Sequence, residues 1–164
     1  MPNYFLDTEF NDSPQGLQLI SIGITDEHGN DYYAVTNEFT SETCNEWVKQ
    51  NILPKLGDKK NWKSKLQIRD ELIEYFKRTN YEGSRITVYG WYCSHDWVLF
   101  CNIFDGLMNL PYKINQAPMD IRQICSFLAL PINTAQPKDA HNALVDARWT
   151  RDLYRQMMVL CIDK

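Results

Sequence analysis

The chain has 164 residues, 44% hydrophobic and 23% charged, with a net charge of −4. That length suits one domain with a sizeable core, taken here as residues 1–164, and the composition excludes an intrinsically disordered chain. A net negative chain also fits poorly with a nucleic-acid binder that relies on overall basic charge. Five cysteines without paired C-x-x-C spacing argue against a zinc ribbon and a full disulfide framework, so reduced thiols in a cytoplasmic setting are expected. No basic, apolar leader opens the chain, and no apolar run is long enough to span a membrane. Aromatics reach 13%, which serves a core first and base stacking second.

Tyr4 to Phe10 (YFLDTEF) reads as a strand interrupted by two acids, Asp7 and Glu9. Residues two apart on a strand face one side, so both carboxylates project together beside apolar neighbours. Such a pair is costly to bury without cations, and hard oxygen donors suit Mg²⁺ or Mn²⁺. Alone, the pair fits an edge strand with solvated acids equally well. Asn11 to Gly16 (NDSPQG) is expected to be a turn. Leu17 to Thr25 is β-branched, with Leu19, Ser21, Gly23 and Thr25 on one face and Gln18, Ile20, Ile22 and Ile24 on the other. A second turn over 26–30 and a third strand over 31–36 complete an antiparallel meander.

Ser41, Asn45, Trp47, Val48 and Ile52 then predict one helix ending near Pro54. Lys55 to Lys65 carries five lysines and reads as a loop, either a solvated charge run or a phosphate contact. A helix is predicted over 66–77, a strand over 85–91, and a further helix that Ser94 caps, with Asp96 in its first turn. Residues 118–128 predict another helix, and a Pro-containing loop spans 130–138. The last helix runs to about Leu160, with Asp146 facing the sheet and His141 five residues earlier. A meander followed by strands alternating with helices indicates a mixed α/β fold, in which sites gather at strand carboxyl ends.

Asp-x-Glu on a first strand, an Asp opening a central helix, and His-x-x-x-x-Asp at the last helix resemble the pattern of the DEDDh 3′→5′ exonucleases. Asp7 and Glu9 match its first motif, Asp96 its second, and His141 with Asp146 its third. The stretches YFLDTEF, LISIGI, YYAV, WVKQNILPKL, QIRDEL and DAHNALVDAR are also similar to the small exoribonuclease group that includes mycobacterial RNase AS, a polyadenylate-preferring enzyme. RNase T and oligoribonuclease resemble the chain more distantly. The second motif departs from the commoner family form, because Trp97 follows Asp96 and no Asn stands nearby in the usual place.

The resemblance implies an RNase H-like fold, with a three-stranded antiparallel meander, then parallel strands, and flanking helices. It implies trimming of single-stranded RNA from its 3′ end, with two divalent cations, Mg²⁺ or Mn²⁺, and a homodimer. Two such ions would cancel the net charge of −4. Asp7 would bridge the cations, Glu9 and Asp146 would complete one site with the attacking water, and Asp96 would help hold the other. His141 would be the general base, swinging over a bound nucleotide from its position before the helix. On the substrate side, Phe10 would pack on the terminal base or ribose, and Trp97 would either stack a base or fill the core. Asp120 and Arg122 would lie near the nucleotide pocket, Asp120 facing an adenine amino group. Arg148, Arg151 and Arg155 either track phosphates or are solvated helix charges. Two alternatives stand beside this reading: a proofreading-type DNA 3′→5′ exonuclease, and a nucleic-acid-binding module without catalysis.

Overall fold

The computed structural model describes residues 1–80, 83–111 and 113–162. Strand β1 (Asn3–Ser13) pairs antiparallel with β2 (Gly16–Asp26), which pairs antiparallel with β3 (Asp31–Val35). On the other side of β1, β4 (Thr87–Gly90) and β5 (Met119–Asp120) add in parallel, giving the order β3-β2-β1-β4-β5. This is the mixed sheet expected from the chain order. β1 lies at its centre, so its side chains are covered on both faces.

The helices are α1 (Glu46–Asn51), α2 (Lys65–Thr79), α3 (Ser94–Ile103), α4 (Ile121–Phe127) and α5 (Ala143–Ile162). Tyr4 and Leu6 of β1 join Ile22, Ile24, Ile68, Leu72, Phe76 and Phe100 in one core between the sheet and α2–α3. Phe5, pointing the other way, joins Ile121, Cys125, Leu153, Tyr154 and Met157 under α4–α5. Each fully buried aliphatic or aromatic side chain contributes about 1.5–3 kcal/mol of transfer free energy, so both faces hold β1 in place.

Five local expectations change. The first turn is tighter than 11–16: β1 runs on to Ser13, and only Pro14 and Gln15 bridge to Gly16, whose φ of +114° suits glycine. Asn11 is drawn into the strand because its buried side chain accepts the Asn45 amide at 3.0 Å. A bulge sets Glu9 opposite Ser21 but Phe10 opposite Leu19, leaving Ile20 as the extra residue. Ile20 therefore leaves the Ile22–Ile24 cluster and packs with Val35, Val48, Ile52 and Leu56 in a third core.

The helix expected from Ser41 is broken. Ser41–Thr43 forms a 3₁₀ turn, and Asn45 starts α1 afresh by accepting the Val48 amide at 2.9 Å. In the 118–128 segment, Met119–Asp120 pairs with Tyr89–Gly90 before α4 begins. Finally, Cys93 rather than Ser94 occupies the cap position of α3, with no side-chain bond.

Candidate active site

The β1–β4 pairing ends at Phe5 opposite Tyr89, whereas β1 continues beyond it with β2 alone. Parting strands open a crevice at the carboxyl end of the parallel pair. Asp7 and Glu9 project into that crevice, opposite Gly23 and Ser21 of β2. A Cβ at Gly23 would stand 2.3 Å from the Ala143 carbonyl carbon and oxygen and the Leu144 nitrogen. The start of α5 thus lies directly on the strand, which only glycine permits. That contact brings Asp146, in the first turn of α5, beside the β1 acids. Asp7, Glu9 and Asp146 each offer one carboxylate oxygen within 4.8 Å of the others.

Asp96 arrives from α3 on the opposite face. Its Oδ1 accepts the Thr8 amide at 2.8 Å and the Thr8 hydroxyl at 2.5 Å. Burial raises the Asp96 carboxyl, and the two Thr8 bonds oppose that rise. Burial also lifts Asp7 well above the usual carboxylate range, helped by the charges of Asp96, Glu9 and Asp146. Glu9 is pushed up to about 8 by burial and then by Asp146 and Asp96, with Lys55 acting the other way. Asp146 is raised by burial, against the His141 amide and its neighbours. Four acids held this close cannot all ionise without a counter-charge.

Asp146 carries a sharper sign. Its Oδ2 accepts the His141 amide at 2.7 Å, whereas its Oδ1 is buried without a hydrogen-bond partner. Converging hard oxygens, one of them orphaned, fit a divalent cation of the Mg²⁺ or Mn²⁺ type.

His141 adopts φ +67°, and its ring meets Trp47 edge-on with centroids 4.9 Å apart. Phe10 is half-buried and meets the exposed His95 edge-on at 5.5 Å. Trp97 is a correction to the base-stacking alternative: its buried ring lies stacked on Phe100 at 5.4 Å inside the α2–α3 core, with no face left for a base. The Asp120 oxygens accept the Cys93 amide at 3.0 Å and the Gln123 amide at 3.2 Å, so Asp120 caps α4. Arg122 is half-buried, bonded to the Tyr92 hydroxyl at 3.2 Å and to Ser126, above the Trp91 ring. The contacts of Asp120 and Arg122 thus lie around α4 and the β4–α3 turn, apart from the three clustered acids.

The basic residues divide in the same way. Arg148 pairs with Asp31, Arg151 with Asp152, and Arg155 with Asp152 and the Glu27 carbonyl. In the 55–65 loop, Lys60, Lys63 and Lys65 pair with Asp58, Glu71 and Asp105, and Lys59 sits over Trp62. Lys55 alone of these five turns to the site, where it donates to the Ala140 carbonyl. Lys55, Trp47 and Gly23 were not singled out from sequence. Only Gly23 carried a readable signal, an isolated glycine inside a β-branched run, which marks close backbone approach.

Residues 2–158 match the family model of the 3′-5′ exoribonuclease Rv2179c-like domain. The chain belongs to this family. Its relatives include two Mycobacterium tuberculosis proteins, 3′-5′ exoribonuclease Rv2179c of strain H37Rv and 3′-5′ exoribonuclease MT2234.1 of strain CDC 1551 / Oshkosh. Each is 35% identical over 147 residues, covering 88% of this chain and 86% of the relative. Membership places the protein among the 3′-5′ exoribonucleases.

Two solved structures share the architecture. One, described as 3′-end specific recognition of histone mRNA stem-loop by 3′-exonuclease, has a TM-score of 0.61 at 10% identity, over 96% of this chain and 81% of that one. The other, cell-death related nuclease 4 (CRN-4), has a TM-score of 0.56 at 12% identity, over 97% of this chain and 64% of that one. At such identities they establish the fold alone, an RNase H-like mixed sheet flanked by helices. Among the described residues, no helix is long and apolar enough to cross a membrane.

Proposed function

We propose that residues 1–164 form one metal-dependent exonuclease domain that removes nucleoside 5′-monophosphates from the 3′ end of single-stranded RNA. The observation that carries this reading is the convergence of Asp7, Glu9 and Asp146 on one point, with the Asp146 Oδ1 left unpartnered. Family membership supplies the reaction class. Asp7, Glu9, Asp96 and Asp146 would hold two divalent cations, Mg²⁺ or Mn²⁺, which supply Lewis acidity and a more acidic attacking water.

The chain's own groups do the rest. His141 takes the proton of the water as its oxygen bonds to phosphorus, and imidazole suits that role because its ordinary titration lies near neutral pH. The phosphorus–O3′ bond breaks, and the departing oxygen regains a proton from solvent. The products are a nucleoside 5′-monophosphate and an RNA shorter by one residue. Phe10, next to Glu9 at the crevice, packs on the terminal base or ribose. Arg122, half-buried over the Trp91 ring, is a cation that could meet a phosphate further along the strand. An adenylate preference follows from the likeness to polyadenylate-preferring relatives. Five unbonded cysteines suit a reducing, cytoplasmic compartment. Exposed Phe127, Val159 and Ile162 near the ends of α4 and α5 suit a homodimer face.

The test is stepwise trimming of 5′-labelled oligo(A), oligo(U) and matched DNA by wild type and Asp7→Ala, with Mg²⁺ and with EDTA. The reading predicts RNA shortening that EDTA and the substitution both abolish, fastest on oligo(A). DNA trimmed as fast as RNA would point to the DNA exonuclease. RNA bound tightly but left uncut would point to a binding module.

A further inference from the structure

The segment from Asn45 to Leu56 is fastened to the sheet as a unit. Val48, Ile52 and Leu56 are buried against Ile20 and Val35. The Asn45 amide donates to Asn11 on β1, and the Asn45 side chain caps α1. A 3₁₀ turn at Leu53–Lys55 closes the segment. Two of its side chains are left facing the entry to α5. Trp47, half exposed, sets its ring against the His141 imidazole. The Lys55 ammonium donates to the carbonyl of Ala140, the residue before His141.

The His141 backbone at φ +67° is one that L residues rarely adopt, and it persists only where the surroundings over-determine it. Three contacts do so here. The His141 amide donates to Asp146, the preceding carbonyl accepts from Lys55, and the ring packs on Trp47. Asp146 fixes the amide, whereas the ring packs on Trp47 and the preceding carbonyl is held by Lys55. Those two constraints come from a separate element, anchored in its own core. A base misplaced by about 1 Å costs on the order of 10²-fold in rate.

We propose that Trp47 and Lys55 are positioning residues, and that the segment carrying them braces the His141 imidazole at the acid cluster. This rests on the reading of His141 as the general base. Lys55 works by its hydrogen bond to the Ala140 carbonyl, and Trp47 by an edge-to-face ring contact. Neither touches the reacting atoms.

Steady-state trimming of oligo(A) with Mg²⁺ tests the brace in Lys55→Met, Lys55→Arg, Trp47→Ala, Trp47→Phe and His141→Ala, and in the double variants with His141→Ala. Lys55→Met is expected to lower kcat about 10–100-fold, and Trp47→Ala about 2–10-fold, with KM little changed. Lys55→Arg keeps the donor and Trp47→Phe keeps a ring, so both should recover most of the loss. In the His141→Ala background, Lys55→Met and Trp47→Ala should cost nothing further, because they act through the missing ring. A KM rise at constant kcat, or an equal loss in both backgrounds, would overturn the proposal and make these residues direct contacts to a phosphate or a base.

NMR of the metal-free protein separates the brace from the base assignment. The His141 ring resonances should move in Lys55→Met and Trp47→Ala, while resonances of the α2–α3 core stay in place. Unmoved ring resonances would overturn the brace. Full activity of His141→Ala would remove the base assignment instead, and the ring resonances would still report on the brace alone.

Discussion

On the α2–α3 face of the sheet, Tyr4 meets Tyr75 and Phe76 edge-on, and Phe76 meets Phe100. The polar ends of that core find partners: the Tyr4 hydroxyl meets the Thr79 hydroxyl at 2.7 Å, and the Tyr75 hydroxyl donates to the Asn30 carbonyl at 2.7 Å. The α5 side of the same strands is built differently. Asp7, Glu9 and Asp146 crowd together, and Asp146 Oδ1 is buried without a partner. His141 holds a strained backbone angle, and α5 starts against the bare Cα of Gly23. One face is satisfied and stabilises the fold. The other withholds satisfaction where a cation and a substrate would supply it, and that local cost is tolerable because the first face offsets it.

Substitutions on the two faces should therefore separate activity from stability. Asp7→Asn should lower kcat at least about 10³-fold, while raising the metal-free melting temperature because it removes a carboxyl that folding must protonate. Trimming rates and thermal unfolding on the same preparation check both halves. Phe100→Ala, in the satisfied core, should cost about 3–5 kcal/mol in denaturant unfolding and leave the activity per folded molecule unchanged.

The pH dependence of the metal-free protein sharpens the same contrast. Glu9 titrates near 8 when folded, well above its unfolded value, and Asp7, Asp96 and Asp146 are also raised. The folded state then binds more protons than the unfolded one through this range. Stability is therefore fully present below the ordinary carboxylate range and falls as pH rises through it towards 8. Saturating Mn²⁺ should remove that fall, and denaturant titrations at pH 5 and pH 8 with and without the ion would show it.

Gly23→Ala pushes α5 off the strand and should lower kcat on the order of 10²-fold with a smaller change in stability. Asp120→Ala should have the smallest effect, about 1 kcal/mol of stability from the lost cap, with the A-over-U preference intact. A lost preference would return Asp120 to the nucleotide pocket.

The contrast also explains which features could be read from the chain. His141 and Asp146, five apart at a helix entry, are grouped only by their resemblance to a family motif, whereas Asp7 and Glu9 are two apart on a strand, so short-range pattern groups them. The meander was legible for the same reason, since its strands are consecutive. The bulge at Ile20 was not, because alternation alone cannot show where a register slips. Two-residue β5 carries no periodicity at all.

The tryptophans show the limit most clearly. Trp97 drew attention because it follows Asp96, yet the next residue on a helix points roughly 100° away, here into the core. Trp47 lies 94 positions before His141 and meets it only through the fold. Lys55 reaches Ala140 across 85 positions, so nothing local distinguished it from the four lysines beside it.

The most direct measurement is calorimetric titration of Mn²⁺ into metal-free wild type and Asp7→Asn at pH 7.5, in two buffers of different ionisation enthalpy. Raised carboxyls at Asp7 and Glu9 mean that cation binding must expel protons. The account predicts saturable binding by wild type, with proton release visible as a buffer-dependent heat, and much weaker binding by Asp7→Asn. No saturable binding by wild type, or binding that Asp7→Asn leaves unchanged, would contradict a cation site at this acid cluster.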